Sequence, residues 1–132
     1  MGTVIVNDYT LSTSADPDTV AVLLGKVWTA NSMRARIGQI QELGRYSYRL
    51  ETALAGTFDV QISPNGRGSV LTTMIRRSRT TQAKFLLLIP LGPKKVHANI
   101  LVRTIIEKGL SQYLIEQGYE VTTEMHSHPL NR

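Results

Sequence analysis

The sequence predicts an α+β fold in which a curved antiparallel sheet packs around one long C-terminal helix, with one or two short helices after the first strand. Three observations predict it. Apolar residues alternate with polar ones through the middle of the chain, a three- and four-residue period returns strongly near the C-terminus, and 132 residues with 42% hydrophobic content suffice for one core. We therefore expect a single domain over residues 1–121.

Thr3 to Thr13 opens with Val4 and Val6 among polar residues and continues less regularly with Tyr9 and Leu11, as a half-buried strand would. Asp16 stands before Pro17, an N-cap followed by the residue that loses least at the first helical position, and Val20, Leu23, Leu24, Val27 and Trp28 then form one stripe. Residues 29–44 admit two readings. Asn31 or Ser32 would cap a second helix carrying Met33, Ile37 and Ile40, or Arg34 to Leu43 would form an irregular strand.

From Gly44 the period is two: Tyr46, Tyr48, Leu50, Thr52 and Leu54 alternate with Ser47, Arg49, Glu51 and Ala53. Phe58, Val60 and Ile62 repeat the pattern, the run 63–68 (Ser-Pro-Asn-Gly-Arg-Gly) supplies turn chemistry, and residues 70–77 resume as a strand. The apolar run within 80–91, bounded by Pro90 and Pro93, fits a buried strand or a helical turn equally. After Pro93, Val96, Ile100, Val102, Ile105, Ile106, Leu110, Tyr113 and Leu114 recur as far as Gly118, a C′ residue. This predicts a helix of about 24 residues, roughly 36 Å. Residues 122–132 lack apolar periodicity and are expected to form a flexible tail.

Strand, helix, meander and long closing helix together resemble the helix-grip fold of the START and Bet v 1-like superfamily, the SRPBCC proteins, which includes polyketide cyclases, lipid carriers and many small bacterial proteins. The stretch from Leu54 to Val60 (Leu-Ala-Gly-Thr-Phe-Asp-Val), followed by the stretch from Pro64 to Leu71, looks like that family's strand, glycine turn and strand. The resemblance implies a cavity between sheet and long helix that holds an apolar or lipid-like small molecule. Trp28, Tyr46, Tyr48, Phe58, Met74 and Ile105 are the candidate lining residues, and a tyrosine hydroxyl or His97 would serve a polyketide cyclase-like enzyme.

Charge offers a second function. The chain holds fifteen Lys and Arg against ten Asp and Glu, a net charge of +5. No acidic residue falls between Asp59 and Glu107, while Arg67, Arg76, Arg77, Arg79, Lys84, Lys94, Lys95 and Arg103 do. Arg76, Arg77, Arg79, Lys94 and Lys95 are the candidate basic patch for an anionic surface or an acidic protein. Nucleic acid gains little support beyond this charge, because aromatics for base stacking are few.

The absence of cysteine excludes disulfides, thiolate metal sites and a cysteine nucleophile. His126 and His128 are expected in the mobile tail, so no metal site and no cofactor is predicted. Gly66-Arg67-Gly68-Ser69 lacks the lysine and following helix of a phosphate-binding loop. Asp16 and Asp18 are explained by a helix start. Nothing at the N-terminus resembles a signal peptide, Val6 stands where myristoylation expects Ser or Thr, and no run approaches the roughly 20 apolar residues of a transmembrane span. A cytoplasmic location is expected.

Overall fold

A computed structural model describes residues 4–35, 38–53, 55–86 and 89–130, with side chains undescribed at 32–38 and 82–94. Strand β1 (Ile5–Thr13) leads into α1 (Pro17–Ala35), followed by β2 (Gly38–Gly44), β3 (Ser47–Thr52), β4 (Gly56–Asn65), β5 (Gly68–Ser78), β6 (Thr80–Leu86) and β7 (Ile89–Val96). The C-terminal helix comprises α2 (His97–Val102), a π-helical stretch (Arg103–Leu110) and α3 (Ser111–Glu116), and β8 (Val121–Pro129) ends the chain. Six strands form one antiparallel sheet in the order β2-β3-β4-β5-β1-β8, and β6 and β7 form a separate two-stranded sheet.

Alternation gives the main sheet one covered face and one open face. Phe58, Val60 and Ile62 on β4, and Leu71 and Ile75 on β5, are buried beneath α1 and the C-terminal helix. Asp59, Gln61 and Ser63 point to the opposite side, as do the exposed Thr72, Met74 and Arg76. The helices contribute Val20, Leu24, Val27 and Trp28 from α1, with Val102, Ile105, Ile106, Leu110 and Leu114 from the C-terminal helix, to the same core. Asp16 starts α1 as expected: its carbonyl accepts the Val20 N–H at 3.1 Å and its carboxylate accepts the Thr19 hydroxyl. Gly56 is needed where β4 begins, since its φ is +149° and a Cβ there would stand 2.1 Å from the Arg77 carbonyl oxygen.

Two open readings resolve and two expectations are corrected. Of the two readings of residues 29–44 the strand holds among the described residues: α1 continues to Ala35 and β2 follows from Gly38. In 80–91 the described residues are strand, 80–86 in β6 and 89–91 in β7, and the pair Thr80↔Val96 takes in a residue assigned above to the helix start. The C-terminal helix therefore starts at His97 and has 20 residues. Finally, the expected tail is a strand, β8, which pairs with all nine residues of β1 from Ile5↔Pro129 to Thr13↔Val121. It shows no apolar period because most of it is wet on both faces. Residues 131 and 132 lie outside the described residues.

Candidate anion-binding surface

The six expected lining residues do not share one chamber. Trp28 and Phe58 meet edge to face, with ring centroids 6.3 Å apart and planes at 77°. Phe58 and Ile105 have 0% of their surface exposed and Trp28 has 2%. A void wide enough for water would give the residues around it accessible surface, so Phe58 and Ile105 border none in this closed form. Among the described residues the Trp28 indole N–H meets no hydrogen-bond partner. Tyr48 sits half-buried on the helix-side face, where burial and then the Glu42 charge push its hydroxyl above the usual tyrosine range.

Two of the six belong elsewhere. Tyr46 lies in the β2–β3 turn with a left-handed φ of 58°, and its hydroxyl donates to Asp18 Oδ1 at 2.6 Å, tying the turn to the start of α1. Met74 is 47% exposed on the open face, because it alternates with the buried Thr73 and Ile75.

That open face carries the best-defined polar geometry. Arg49 and Asp59 are directly opposite on β3 and β4. The Arg49 guanidinium donates from Nε to Asp59 Oδ1 at 2.7 Å and from Nη2 to Oδ2 at 3.0 Å, and Arg76 Nε donates to Oδ2 at 2.9 Å. Burial acts to raise the Asp59 carboxyl, but the hydrogen bonds and charges of the two arginines outweigh it and hold it below the usual range. Two guanidinium groups on one carboxylate leave a net positive charge. They line an open groove of about 390 Å³ with Gln61, Thr72 and Met74.

A second cleft of about 170 Å³ adjoins it, sharing Thr73, Met74 and Arg76. Here the β1–β5 ladder stops at Thr10↔Thr72, and the buried Asp8 carboxylate takes over. Asp8 Oδ1 accepts the Ile75 N–H at 2.9 Å and the Thr73 hydroxyl at 2.7 Å, while Thr73 Oγ1 accepts the Tyr9 N–H at 2.9 Å. Asp8 Oδ2 lies 2.6 Å from His128 Nε2, and His128 Nδ1 lies 2.9 Å from the Pro129 carbonyl oxygen. Both ring nitrogens face acceptors, which only the doubly protonated imidazolium satisfies. The Asp8 bond, followed by that to Pro129, raises the His128 pKa. Held between these two acceptors, His128 clamps the last strand against the first.

The expected basic patch divides between two places. Arg76 belongs to the groove. Arg77 Nη2 donates to the Thr52 carbonyl at 3.2 Å. Arg79 and Lys95 are exposed at the base of the β6–β7 hairpin, and the Lys94 side chain lies outside the described residues. His97 joins this base, its Nε2 lying 3.0 Å from Thr81 Oγ1. Burial, then the charges of Arg79 and Lys95, lower its pKa. His97 and the Tyr46 hydroxyl therefore occupy different parts of the molecule.

The sequence reading missed Arg49, Asp59, Asp8 and His128 as partners. Asp8 interrupting an apolar strand was the available signal for the clamp, and opposite charges on the wet face of a hairpin were the signal for the groove. Among the described residues no three His, Asp or Glu side chains gather as metal ligands would. Compared with known proteins, the chain matches no family model, no curated protein and no solved structure.

Proposed function

We propose that this chain is a non-enzymatic binding module that associates with an anionic membrane surface through the β6–β7 hairpin and the basic residues at its base. The observation that carries this reading is the hairpin itself. Its strands pair only with each other among the described residues, and its sequence combines Lys84, Lys94 and Lys95 with the apolar run from Phe85 to Leu91 (Phe-Leu-Leu-Leu-Ile-Pro-Leu). The register sets Phe85 opposite Pro90 and Leu86 opposite Ile89. An apolar run flanked in sequence by lysines suits the boundary between acidic headgroups and acyl chains, where each Lys or Arg near the surface contributes about 1 kcal/mol. No described helix is long and apolar enough to cross a membrane.

Vesicle co-sedimentation tests the reading. Binding is expected to mixed phosphatidylserine–phosphatidylcholine vesicles, to weaken with added salt, and to disappear in the triple variant Arg79→Glu, Lys94→Glu, Lys95→Glu. Arg76 is left unchanged because reversing it would place a second carboxylate beside Asp59. Equal binding to neutral vesicles, or unchanged binding by the triple variant, would overturn the proposal.

One observation favours a second reading, the helix-grip carrier of an apolar small molecule. The Trp28 indole N–H is buried without a partner among the described residues, a state that costs about 1–3 kcal/mol and that a guest with an acceptor atom would relieve. The strand order β2-β3-β4-β5-β1 beneath two helices is compatible with a sheet curved around the C-terminal helix. Entry would require the closed interface to open. Native mass spectrometry of freshly purified protein should then show an apolar adduct, and a bare chain mass would count against the carrier.

A further inference from the structure

We infer that β8 is a self-association edge, and that two copies of this chain join their sheets by antiparallel β8–β8 pairing centred on Met125. This rests on the edge of the main sheet and is independent of the surface reading above.

β8 is the last strand of the main sheet, and among the described residues no strand pairs with its outer side. Its pairing with β1 runs through nine residues without a register shift. The other edge strand, β2, has an irregularity between Glu42 and Gly44. Bulges, lysines and prolines are the usual devices that keep an edge from pairing. Residues 121–129 contain no lysine, and their one proline is the last residue.

The backbone geometry selects which groups are available. Ser14 N–H donates to the Glu120 carbonyl at 3.1 Å, and Leu130 N–H donates to the Val4 carbonyl at 2.8 Å, one bond just beyond each end of the β1–β8 ladder. With the unbroken register between them, the even-numbered residues of β8 bond inward to β1. The N–H and C=O groups of Val121, Thr123, Met125 and Ser127 consequently point outward. A two-fold axis at Met125 brings these groups together: Met125 bonds Met125 of the partner subunit in both directions, and Thr123 bonds Ser127 of the partner subunit likewise.

Side chains fit the same register. Glu124 comes to stand opposite His126 of the partner subunit, and His126 opposite Glu124 of the partner subunit. These are non-hydrogen-bonded positions, where side chains approach most closely. Met125, 56% exposed, meets its own counterpart. Shifting the axis to Ser127 would instead set His126 against His128 of the partner subunit. Donor–acceptor complementarity, a carboxylate facing an imidazole that carries an N–H, thus favours the Met125-centred pairing, with a second copy as the occupant.

Light scattering after size exclusion, supported by sedimentation equilibrium, reads the outcome. The wild-type chain is expected to be dimeric at about 100 µM, a concentration sufficient for micromolar affinity. Met125→Pro removes an outward N–H and none of the β1 ladder, so it should give a folded monomer by circular dichroism. Glu124→Lys replaces the carboxylate acceptor that faces His126 of the partner subunit with a donor, twice per interface, and should raise the dissociation constant about tenfold. The double variant Glu124→Lys, His126→Glu should restore it, which keeps the test decisive if the proline variant fails to fold. A monomeric wild type, or a dimer indifferent to the folded proline variant and to the charge swap, would overturn the inference.

Discussion

Replacing His128 with alanine should lower stability more in acid than in mildly alkaline solution. In the folded protein, His128 contacts Asp8 Oδ2 at 2.6 Å, and Asp8 is buried. A hydrogen bond to a charged group contributes roughly 1.5–3 kcal/mol. The His128 side chain is 35% exposed, so solvent screening reduces this, and Asp8 keeps its bonds from Ile75 and Thr73 after truncation. About 1–2 kcal/mol remains, and for a domain of this size that lowers Tm by roughly 3–8 °C.

The pH dependence follows from the raised His128 pKa. A histidine titrating higher when folded than when unfolded contributes its full stabilisation below its unfolded value, near 6.5, and loses it as pH rises through the folded value. His97 has its pKa lowered and works in the opposite sense, so the diagnostic quantity is the difference between wild type and His128→Ala. Thermal unfolding followed by circular dichroism should show a separation between the two proteins that is widest below about pH 6.5 and narrows as the pH rises above it. A separation that is constant with pH, or one that grows with it, would refute the clamp.

Two further outcomes test the packing and the groove. Gly109→Ala should destabilise by about 1–3 kcal/mol in a denaturant titration, because the added Cβ would lie 2.5 Å from Val27 Cγ1 where α1 meets the π-helical stretch; an unchanged midpoint would show that this contact has room to relax. Asp59→Asn should weaken the acid sensitivity of unfolding below about pH 4, since a carboxylate with a depressed pKa stabilises above its unfolded value and loses that contribution as pH falls through its folded one. Comparison of acid-unfolding midpoints by fluorescence checks it, and identical curves would detach Asp59 from the acid transition.

The elements visible in the sequence are those with one wet face and one dry. Phe58, Val60 and Ile62 alternating with Asp59, Gln61 and Ser63 define β4 because helices cover one side alone. Asp16-Pro17 marks the α1 start through backbone chemistry that needs no tertiary partner. β8 escapes this logic: with Glu124, Met125, His126 and Ser127 all exposed, only the backbone ladder to β1 tells a strand from a tail. The β6–β7 run was ambiguous because a short apolar stretch has no period, and β pairing is decided by residues far apart in sequence.

The same distinction governs the functional residues. Arg49 and Asp59 are ten positions apart, and the register of an adjacent hairpin alone sets them face to face, so a local pattern contains the groove once the turn is placed. Asp8 and His128 are brought together only by the last strand pairing with the first, a relation no local pattern encodes. Trp28, Phe58 and Ile105 illustrate a different limit. An apolar stripe fixes which side chains face inward but not the volume they enclose, because filled and hollow interiors require the same alternation. Their closure depends on the close approach of α1 to the C-terminal helix, permitted where Gly109 leaves space for Val27. A glycine inside a helical stripe was therefore a signal in the sequence for how closely the two helices approach.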